Sequence, residues 1–181
     1  MNKNKIFFTF WKKNKDLTTL FNYLGMENLY FVGGIVRNAL EQSVCDDIDI
    51  ATNIKPQMLK KLLKKKKIAF FDFSKGHGTV SIINNNQKVE ITSFRVDQQT
   101  DGRNAKTIYT NDIFKDSCRR DFTINAIYSD FNGNLYDPHK GIKDLNSQII
   151  RFIGKPEKRI EEDNLRIVRY FRFIGEYSNS L

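Results

Sequence analysis

The chain has 181 residues, of which 40% are hydrophobic and 15 are phenylalanine, so it can bury a sizeable core in one domain and the start of a second. Its formal net charge of +9 suits an anionic partner, although a lysine-rich composition alone produces the same charge. Two separated cysteines and two histidines argue against a structural zinc site and predict reduced thiols in a cytosolic protein, and no stretch is apolar enough to predict a membrane span.

Hydrophobic patterning predicts strands and helices that alternate along the chain. The run 29–34, "LYFVGG", is typical of a buried strand that ends in a glycine turn, and 35–42 has helical composition. The other predicted elements are a strand over 47–51, a helix over 55–67, a strand over 68–73, a hairpin over 79–94, a long mobile loop over 95–111, a helix and then a short strand within 112–130, and a helix over 156–177. This order predicts a small mixed α/β domain.

Two aspartates lie two positions apart in the predicted strand 47–51. Because side chains alternate between the faces of a strand, we expect Asp47 and Asp49 on one face and Asp46 on the other. Two carboxylates this close repel each other unless a cation lies between them, and their oxygens suit Mg²⁺. The alternative is an acidic strand end that faces solvent, and the Asp-x-Asp pattern alone leaves both interpretations open.

A glycine turn precedes the acid pair. Gly33 and Gly34 join a predicted strand to a predicted helix, so backbone amides there can approach a phosphate closely. Arg37 follows within the first helical turn and could reach the same phosphate. A pair of glycines can also be an ordinary tight turn. Combined with Asp47 and Asp49, however, this turn predicts a nucleoside triphosphate site that includes metal.

Four motifs in this order resemble those of the class II tRNA nucleotidyltransferases and the bacterial poly(A) polymerases. They are "GGIVRNAL" with "DIDIAT" (33–52), "RRDFTINAI" (119–127), "YDPHKGIKDLNSQIIRFIG" (136–154) and "RIEEDNLRIVRYFRF" (159–173). The stretches "GHGTV" (76–80) and "VEITSFR" (89–95) also resemble strands of that family.

The resemblance implies a fold and a domain organisation. Residues 1–154 would form a polymerase β-like nucleotidyltransferase head domain, an α/β (α+β) fold with a mixed sheet flanked by helices. Residues 155–181 would form the first helix of a truncated helical neck that recognises the nucleobase, with the body and tail regions absent. The apolar residues of this last helix predict a partner surface, either on the domain itself or on a segment outside the chain.

The same resemblance implies roles for individual residues. Asp47 and Asp49 would bind two catalytic Mg²⁺ ions, with Glu90 as a further candidate acid. Asp121 would meet the ribose hydroxyls, and Asp163 with Arg166 would present a Watson–Crick-like edge to the base; the alternative for this last pair is an ordinary surface ion pair. The residues implied to contact the nucleotide are Gly33, Gly34, Arg37, Arg120, Asp121, Asp163, Arg166, Arg169 and Arg172.

The implied reaction is the metal-dependent transfer of a nucleotidyl group from CTP or ATP to the 3′ end of RNA, with addition or repair of the tRNA 3′-CCA as the first candidate. The expected partners are tRNA or another RNA and a separately encoded C-terminal body fragment, with Asp101 and Arg103 in the loop 95–111 involved in the choice between CTP and ATP. Asn38 departs from the family pattern, which has aspartate there. The alternatives are a non-catalytic remnant that binds RNA and a nucleotide-sensing domain without an RNA substrate.

Overall fold

A computed structural model describes residues 5–72, 78–84, 87–98 and 106–177. The helices are α1 Lys15–Leu24, α2 Gly34–Leu40, α3 Pro56–Lys65, α4 Ile113–Cys118, α5 Gly141–Asn146, α6 Pro156–Glu162 and α7 Leu165–Tyr177. The strands are β1 Leu29–Val32, β2 Ile48–Thr52, β3 Thr79–Asn84, β4 Gln87–Ser93, β5 Arg95–Gln98, β6 Lys106–Tyr109, β7 Tyr128–Ser129 and β8 Leu135–Tyr136. Within these ranges, no helix has the length and apolar character needed to cross a membrane.

One mixed sheet of six strands organises the fold, in the order β3-β4-β2-β1-β7-β8. Strands β2 and β4 are parallel, and the other neighbours are antiparallel. The parallel pair requires a crossover, and the chain supplies α3 between the two strands. The predicted mixed sheet flanked by helices is therefore confirmed, as is the predicted hairpin, which β3 and β4 form.

The two faces of the sheet differ because strand side chains alternate. Ile48 and Ile50 of β2 point into the main core, which also contains buried residues of α1, α2 and α3. Asp49 lies between them in sequence and so occupies the opposite face. On that face Ala51 packs in a second, smaller core with Val32, Phe94 and Tyr128. This alternation sends Asp49 away from the helices that bury the main core.

Helix α7 packs on the domain through one buried aromatic residue. Phe173 is 1% exposed and belongs to a third core cluster with Phe122, whose ring centroid lies 5.5 Å away. Leu165, Val168 and Phe171 lie on the exposed side of the helix. The domain therefore covers part of the apolar surface that the sequence predicts for this helix and leaves the rest open.

Two of the predicted elements in the middle of the chain are wrong. The run 68–73 forms no strand within residues 68–72, where Phe71 makes only an isolated bridge to Ser81. The predicted loop 95–111 contains β5 and β6, which pair as an antiparallel ribbon. Asp101 and Arg103 lie outside the described residues, as do residues 76 and 77 of the "GHGTV" motif.

The predicted helix 156–177 is also wrong as a single element, because α6 ends at Glu162 and α7 begins at Leu165. Asp163 has an extended backbone, with φ −158° and ψ 103°, and its Oδ1 accepts a hydrogen bond from the Leu165 amide at 3.0 Å. Such a bond is typical of an N-cap aspartate, which favours the start of a helix after it. The motif that carries Asp163 and Arg166 is therefore a helix junction.

Helix α1 was not predicted. Its signal is present in the sequence, because Asn14 caps the helix by accepting from the amides of Asp16 and Leu17. The buried residues Leu17, Leu20, Phe21 and Leu24 recur at helical spacing. The lysines and the aromatic cluster before this segment concealed that period.

Candidate functional site

A cleft of about 590 Å³ lies on the Asp49 face of the sheet, between the glycine turn, the segment that follows α4, and α7. Nearly all of the predicted site residues line it, namely Gly33, Gly34, Arg37, Asp47, Asp49, Arg120, Asp121, Asp163, Arg166, Arg169 and Arg172. Glu90 is not among the lining residues, although its strand places it beside Asp49. A groove of about 390 Å³ between α1 and the sheet contains none of these residues.

The glycine turn lies directly beside the acid pair. Gly33 has φ +75°, a conformation that favours glycine, and its carbonyl accepts the hydrogen bond from the Arg37 amide at 3.2 Å as α2 begins. A Cβ atom added to Gly33 would lie 3.8 Å from Asp49 Oδ2, and one added to Gly34 would lie 3.9 Å from Arg37 Nη2. The turn, Asp49 and Arg37 therefore meet at one end of the cleft.

The acid pair concentrates negative charge at this end. Burial raises the pKa of the Asp49 carboxyl, and the carboxylates of Glu90 and Asp47 raise it further, while Arg120 acts in the opposite direction. The side chain itself remains open on the cleft side. Glu90 is engaged elsewhere, by an ion pair with Lys88 at 2.6 Å and a hydrogen bond from Ser81 Oγ at 3.3 Å.

The chemistry of this acid pair fits a divalent cation that is also held by a substrate. Among the described residues, no group of three or more His, Cys, Asp or Glu side chains could hold a metal ion. Mg²⁺ at nucleotide sites is commonly held by one or two carboxylates together with substrate phosphates. Asp47 and Asp49 therefore fit an ion that shares its coordination with a triphosphate, and a site built from protein ligands alone is not indicated.

A buried carboxylate that was not predicted holds two arginines of the cleft. Asp116 of α4 is 0% exposed and forms ion pairs with Arg119, 2.8 Å from Nε, and with Arg120, 3.2 Å from Nη2. Tyr128 also donates its hydroxyl proton to Asp116 at 2.7 Å and accepts a hydrogen bond from Arg120 Nε at 2.8 Å. We call Asp116, Arg119, Arg120 and Tyr128 the arginine cluster.

Asp121 follows the arginine cluster and faces the cleft. Its Oδ1 accepts hydrogen bonds from the Phe122 amide and from Asn125 Nδ2, each at 2.8 Å. Its buried Oδ2 lies 2.9 Å from Arg169 Nη2 of α7, but no described donor is aligned with it as a hydrogen bond. Asp121 is therefore held by its neighbours and by the ion pair with α7.

Arg37 is more deeply packed than the sequence indicates. It is 7% exposed, it donates from Nη1 to Asn125 Oδ1, and its Nε lies 3.4 Å from the Tyr177 hydroxyl oxygen, to which it donates. Its guanidinium carbon also lies 5.0 Å from the Phe173 ring centroid and 5.4 Å from that of Tyr177. Arg37 therefore connects the glycine turn to the last turns of α7.

The residues predicted to recognise the base also form contacts within the protein. Arg166 donates from Nη1 to Glu162 Oε2 and to the Arg159 carbonyl, each at 2.8 Å. Its Nη2 donates to the Arg119 carbonyl at 3.4 Å. Asp163 caps α7 with Oδ1. This pair is therefore fixed at the α6–α7 junction against the backbone that carries the arginine cluster.

Two groups of residues in the site were missed at the level of sequence. Asp116 precedes Arg119 and Arg120 by three and four positions, and that helical spacing was a usable signal for an ion-pair cluster. Tyr177 reaches Arg37 across a separation of 140 residues, and no local pattern reports such a contact. Asp46 is exposed and does not line the cleft, but it precedes β2, which begins at Ile48, so strand alternation does not set its orientation.

Comparison with known proteins adds independent findings. The family model of the poly A polymerase head domain matches residues 29–151. The human protein "CCA tRNA nucleotidyltransferase 1, mitochondrial" is 41% identical over 163 residues, which cover 89% of this chain and 37% of that protein. The chain thus spans a little over a third of the length of this curated relative.

Two solved structures are similar in fold. The CCA-adding enzyme of Bacillus stearothermophilus in complex with CTP has a TM-score of 0.70 and 35% sequence identity, over 81% of this chain and 34% of the solved chain. A tRNA nucleotidyltransferase complexed with a primer tRNA and an incoming ATP analogue has a TM-score of 0.64 and 28% identity, over 82% of this chain and 41% of the solved chain.

Proposed function

Because this chain belongs to the family of the poly A polymerase head domain, we propose that it takes part in transferring a nucleotidyl group from CTP or ATP to the 3′ end of RNA. A tRNA that lacks its CCA end is the proposed acceptor. One observation supports this most strongly: Asp47 and Asp49 lie beside the glycine turn in a cleft whose other walls carry several arginines. Carboxylates for metal and arginines for phosphates are the two charge types that this reaction needs.

In this proposal the glycine turn and the arginines of the cleft bind the phosphates. Gly33 and Gly34 have no side chain that would keep a phosphate from the backbone, and Arg120 presents a guanidinium held on its other side by Asp116 and Tyr128. Positioning the α-phosphate near Asp47 and Asp49 would account for much of the rate acceleration. Two Mg²⁺ ions held by these aspartates would activate the attacking hydroxyl and stabilise the leaving pyrophosphate.

Sugar and base recognition are assigned to the residues between this end of the cleft and α7. We propose that a ribose hydroxyl donates to the Asp121 carboxylate in exchange for part of its pairing with Arg169, which favours a ribonucleotide. Asp163 and Arg166 offer an acceptor and donors for the edge of the base. Arg166 is bound to Glu162 and two carbonyls, so we propose that a base exchanges with some of these partners.

The partner assignment follows from the relatives and from the exposed side of α7. The similar structures contain CTP in one case and a primer tRNA with an ATP analogue in the other. We propose RNA and nucleoside triphosphates as ligands here, and a body fragment, encoded separately or with this chain, as the cover of Leu165, Val168 and Phe171. The division into a head at 1–154 and a neck at 155–181, and a cytosolic location with Cys45 and Cys118 reduced, are parts of the same proposal.

A second candidate is a nucleotide-binding unit that does not turn over by itself. The observation that favours it is Asn38, which lines the cleft at the position where the family pattern has aspartate. Such a unit would bind CTP with Mg²⁺ and leave RNA unextended, whether or not a body fragment is present. Both candidates place the nucleotide in the same cleft, and they differ only in catalysis.

A primer-extension assay tests the proposal. The full chain is incubated with Mg²⁺, labelled CTP or ATP and tRNA without its CCA end, alone and with a body fragment from a relative. We expect label in the RNA, and a loss of at least about a hundredfold in Asp47→Ala and Asp49→Ala, because the cations that these residues hold stabilise charge in the transition state. The matched control is Asp46→Ala, an exposed acid outside the cleft.

Three results separate the candidates. Extension that requires Asp47 and Asp49 but not Asp46 supports catalysis. Binding of CTP without extension, even with the body fragment present, supports the nucleotide-binding unit. If CTP binds no more weakly to Asp47→Ala and Asp49→Ala than to the wild type, and no RNA is extended, the catalytic proposal is wrong.

A further inference from the structure

Asp116 is a buried acid to which the proposed reaction assigns no role. Its carboxylate accepts hydrogen bonds at Oδ1 from Arg119 Nε at 2.8 Å and from the Arg95 amide at 3.2 Å. At Oδ2 it accepts from the Tyr128 hydroxyl at 2.7 Å and from Arg120 Nη2 at 3.2 Å. One carboxylate thus links α4, the first residue of β5 and the strand β7 to two arginines of the cleft.

The negative charge of Asp116 strengthens its hydrogen bonds to Arg119 and Arg120. Burial alone would raise the pKa of this carboxyl, but Arg120 and Arg119, with hydrogen bonds from Tyr128 and Arg119, more than offset burial and place the pKa below its ordinary value. The group is therefore a carboxylate at neutral pH. Charge-assisted hydrogen bonds of this kind are shorter and stronger than neutral ones, so they restrict the rotamers of both guanidinium groups.

The geometry leaves these arginines directed at the cleft. Arg119 and Arg120 each have side chains that are 16% exposed, and both line the cleft beside Asp121. Arg120 is held on two sides, because its Nε donates to Tyr128 while its Nη2 donates to Asp116. A long, flexible side chain fixed in this way loses less entropy when it binds an anion.

We propose that Asp116 is a positioning residue for triphosphate recognition, which fixes Arg119 and Arg120 at the wall of the cleft and ties them to the start of β5. Asp116 itself does not touch the nucleotide. This inference rests on the proposed function, because it takes a nucleoside triphosphate as the ligand. It predicts that Asp116 affects the affinity for the β- and γ-phosphates more than the affinity for the rest of the nucleotide.

The test compares the dissociation constants of CTP and CMP for the full chain with Mg²⁺, measured by calorimetric titration. In Asp116→Asn we expect the CTP affinity to fall about tenfold and the CMP affinity to change less than about twofold, because only CTP depends on both positioned guanidiniums. Tyr128→Phe keeps the ring and removes the hydroxyl between Asp116 and Arg120. It should lower the CTP affinity relative to the CMP affinity by about threefold.

Asp112→Ala is the matched control. Asp112 caps the same helix by accepting from the amides of Phe114 and Lys115, and among the described residues its side chain makes no hydrogen bond to the arginine cluster. Its loss should lower the melting temperature and leave the ratio of CTP to CMP affinity unchanged. A role of Asp116 in the stability of α4 alone would make Asp116→Asn behave like this control.

The binding results distinguish a failure of the role proposed for Asp116 from a failure of the proposed function. If the wild type binds CTP and both Asp116→Asn and Tyr128→Phe keep its affinity ratio, Asp116 is not a positioning residue, although the proposed function stands. Tyr128→Phe decides the matter if Asp116→Asn fails to fold. If the wild type binds neither nucleotide, the proposed function and this inference are both wrong.

Discussion

Individual arginines of the cleft differ in what they do for the fold. Arg37 is enclosed by Asn125, Phe173 and Tyr177, whereas the Arg172 side chain is 57% exposed and lies over the same Phe173 ring, 4.7 Å from its centroid. The planar guanidinium of Arg37 satisfies a hydrogen bond and a ring contact at once, which an ammonium group does not reproduce. Arg37 therefore acts as a structural connection as well as a predicted phosphate contact.

Arg37→Lys should lower the free energy of unfolding by about 1–3 kcal/mol, because a single ammonium group does not reproduce the two hydrogen bonds that the guanidinium donates to Asn125 and Tyr177. Arg172→Lys should change it by less than about 0.5 kcal/mol, as is usual at an exposed position. Urea denaturation followed by circular dichroism measures both values. Equal effects of the two substitutions would contradict the assigned role of Arg37.

Asp116 should make the free energy of unfolding depend on pH in the acidic range. Its pKa in the folded chain lies below the ordinary value of 3.8, so the unfolded chain binds its proton first as the pH falls. The stabilisation is therefore complete above pH 3.8 and is lost as the pH falls from there through the lower pKa of the folded state.

The comparison of wild type with Asp116→Asn tests this pH dependence. At pH 7 the variant should be less stable by about 3–5 kcal/mol, because two buried guanidiniums lose their partner. The difference should shrink as the pH falls below about 4, since the wild type alone loses this carboxylate. Urea unfolding at several pH values measures it, and a difference that stays constant with pH would show that the titration of Asp116 is not coupled to folding.

At the scale of elements, the two glycines between β1 and α2 differ in what the backbone requires of them. Gly33 has φ +75°, whereas Gly34 begins α2, and a Cβ atom added to Gly34 would make only an ordinary contact with Arg37 Nη2 at 3.9 Å. The first glycine is required by the shape of the turn. The second is not required by the shape of the turn, so Gly34 allows the proposed phosphate contact to be tested separately from the fold.

Gly33→Ala should lower the free energy of unfolding by about 1–2 kcal/mol, because an L-residue is strained at this φ. Gly34→Ala should leave stability nearly unchanged and still weaken CTP binding, since the added methyl group lies where a phosphate would approach the backbone. Thermal unfolding and CTP titration of both variants measure the two effects. Unchanged CTP affinity in Gly34→Ala would place the phosphates away from this turn.

At the scale of the whole molecule, one side of α7 packs on the domain. Phe173 packs with Phe122 and stacks against Arg37, and Arg169 pairs with Asp121. The opposite side of the helix exposes apolar residues to solvent. One side of α7 therefore completes the cleft, while the other side is available to a further segment or partner.

Phe173→Ala should lower the free energy of unfolding by about 3–5 kcal/mol, because it removes a fully buried ring from the third core cluster. Phe171→Ala, two positions earlier and 65% exposed, should change it by less than about 0.5 kcal/mol. Guanidinium denaturation of the full chain measures both. A similar loss in the two variants would mean that the apolar side of α7 is covered in solution.

Local sequence determined the elements and the chemistry that short spacing can encode. Alternation along β2 placed Ile48 and Ile50 in the core and Asp49 on the other face, and glycine was needed where the turn takes a positive φ. The predicted hairpin and α3 followed from the same periodicities, whereas the mixed sheet was expected from the resemblance to the family. Such features depend on residues a few positions apart, so the sequence alone determines them.

Only the tertiary structure decided which side chains are free to meet a ligand. Arg37 is engaged by Tyr177 and Asp121 by Arg169, and both partners lie far away in sequence on α7. Arg166 likewise donates to the carbonyl of Arg119, 47 residues away in sequence. The physical reason is that burial and pairing are set by packing between distant segments, and these contacts determine which charges of the cleft remain available.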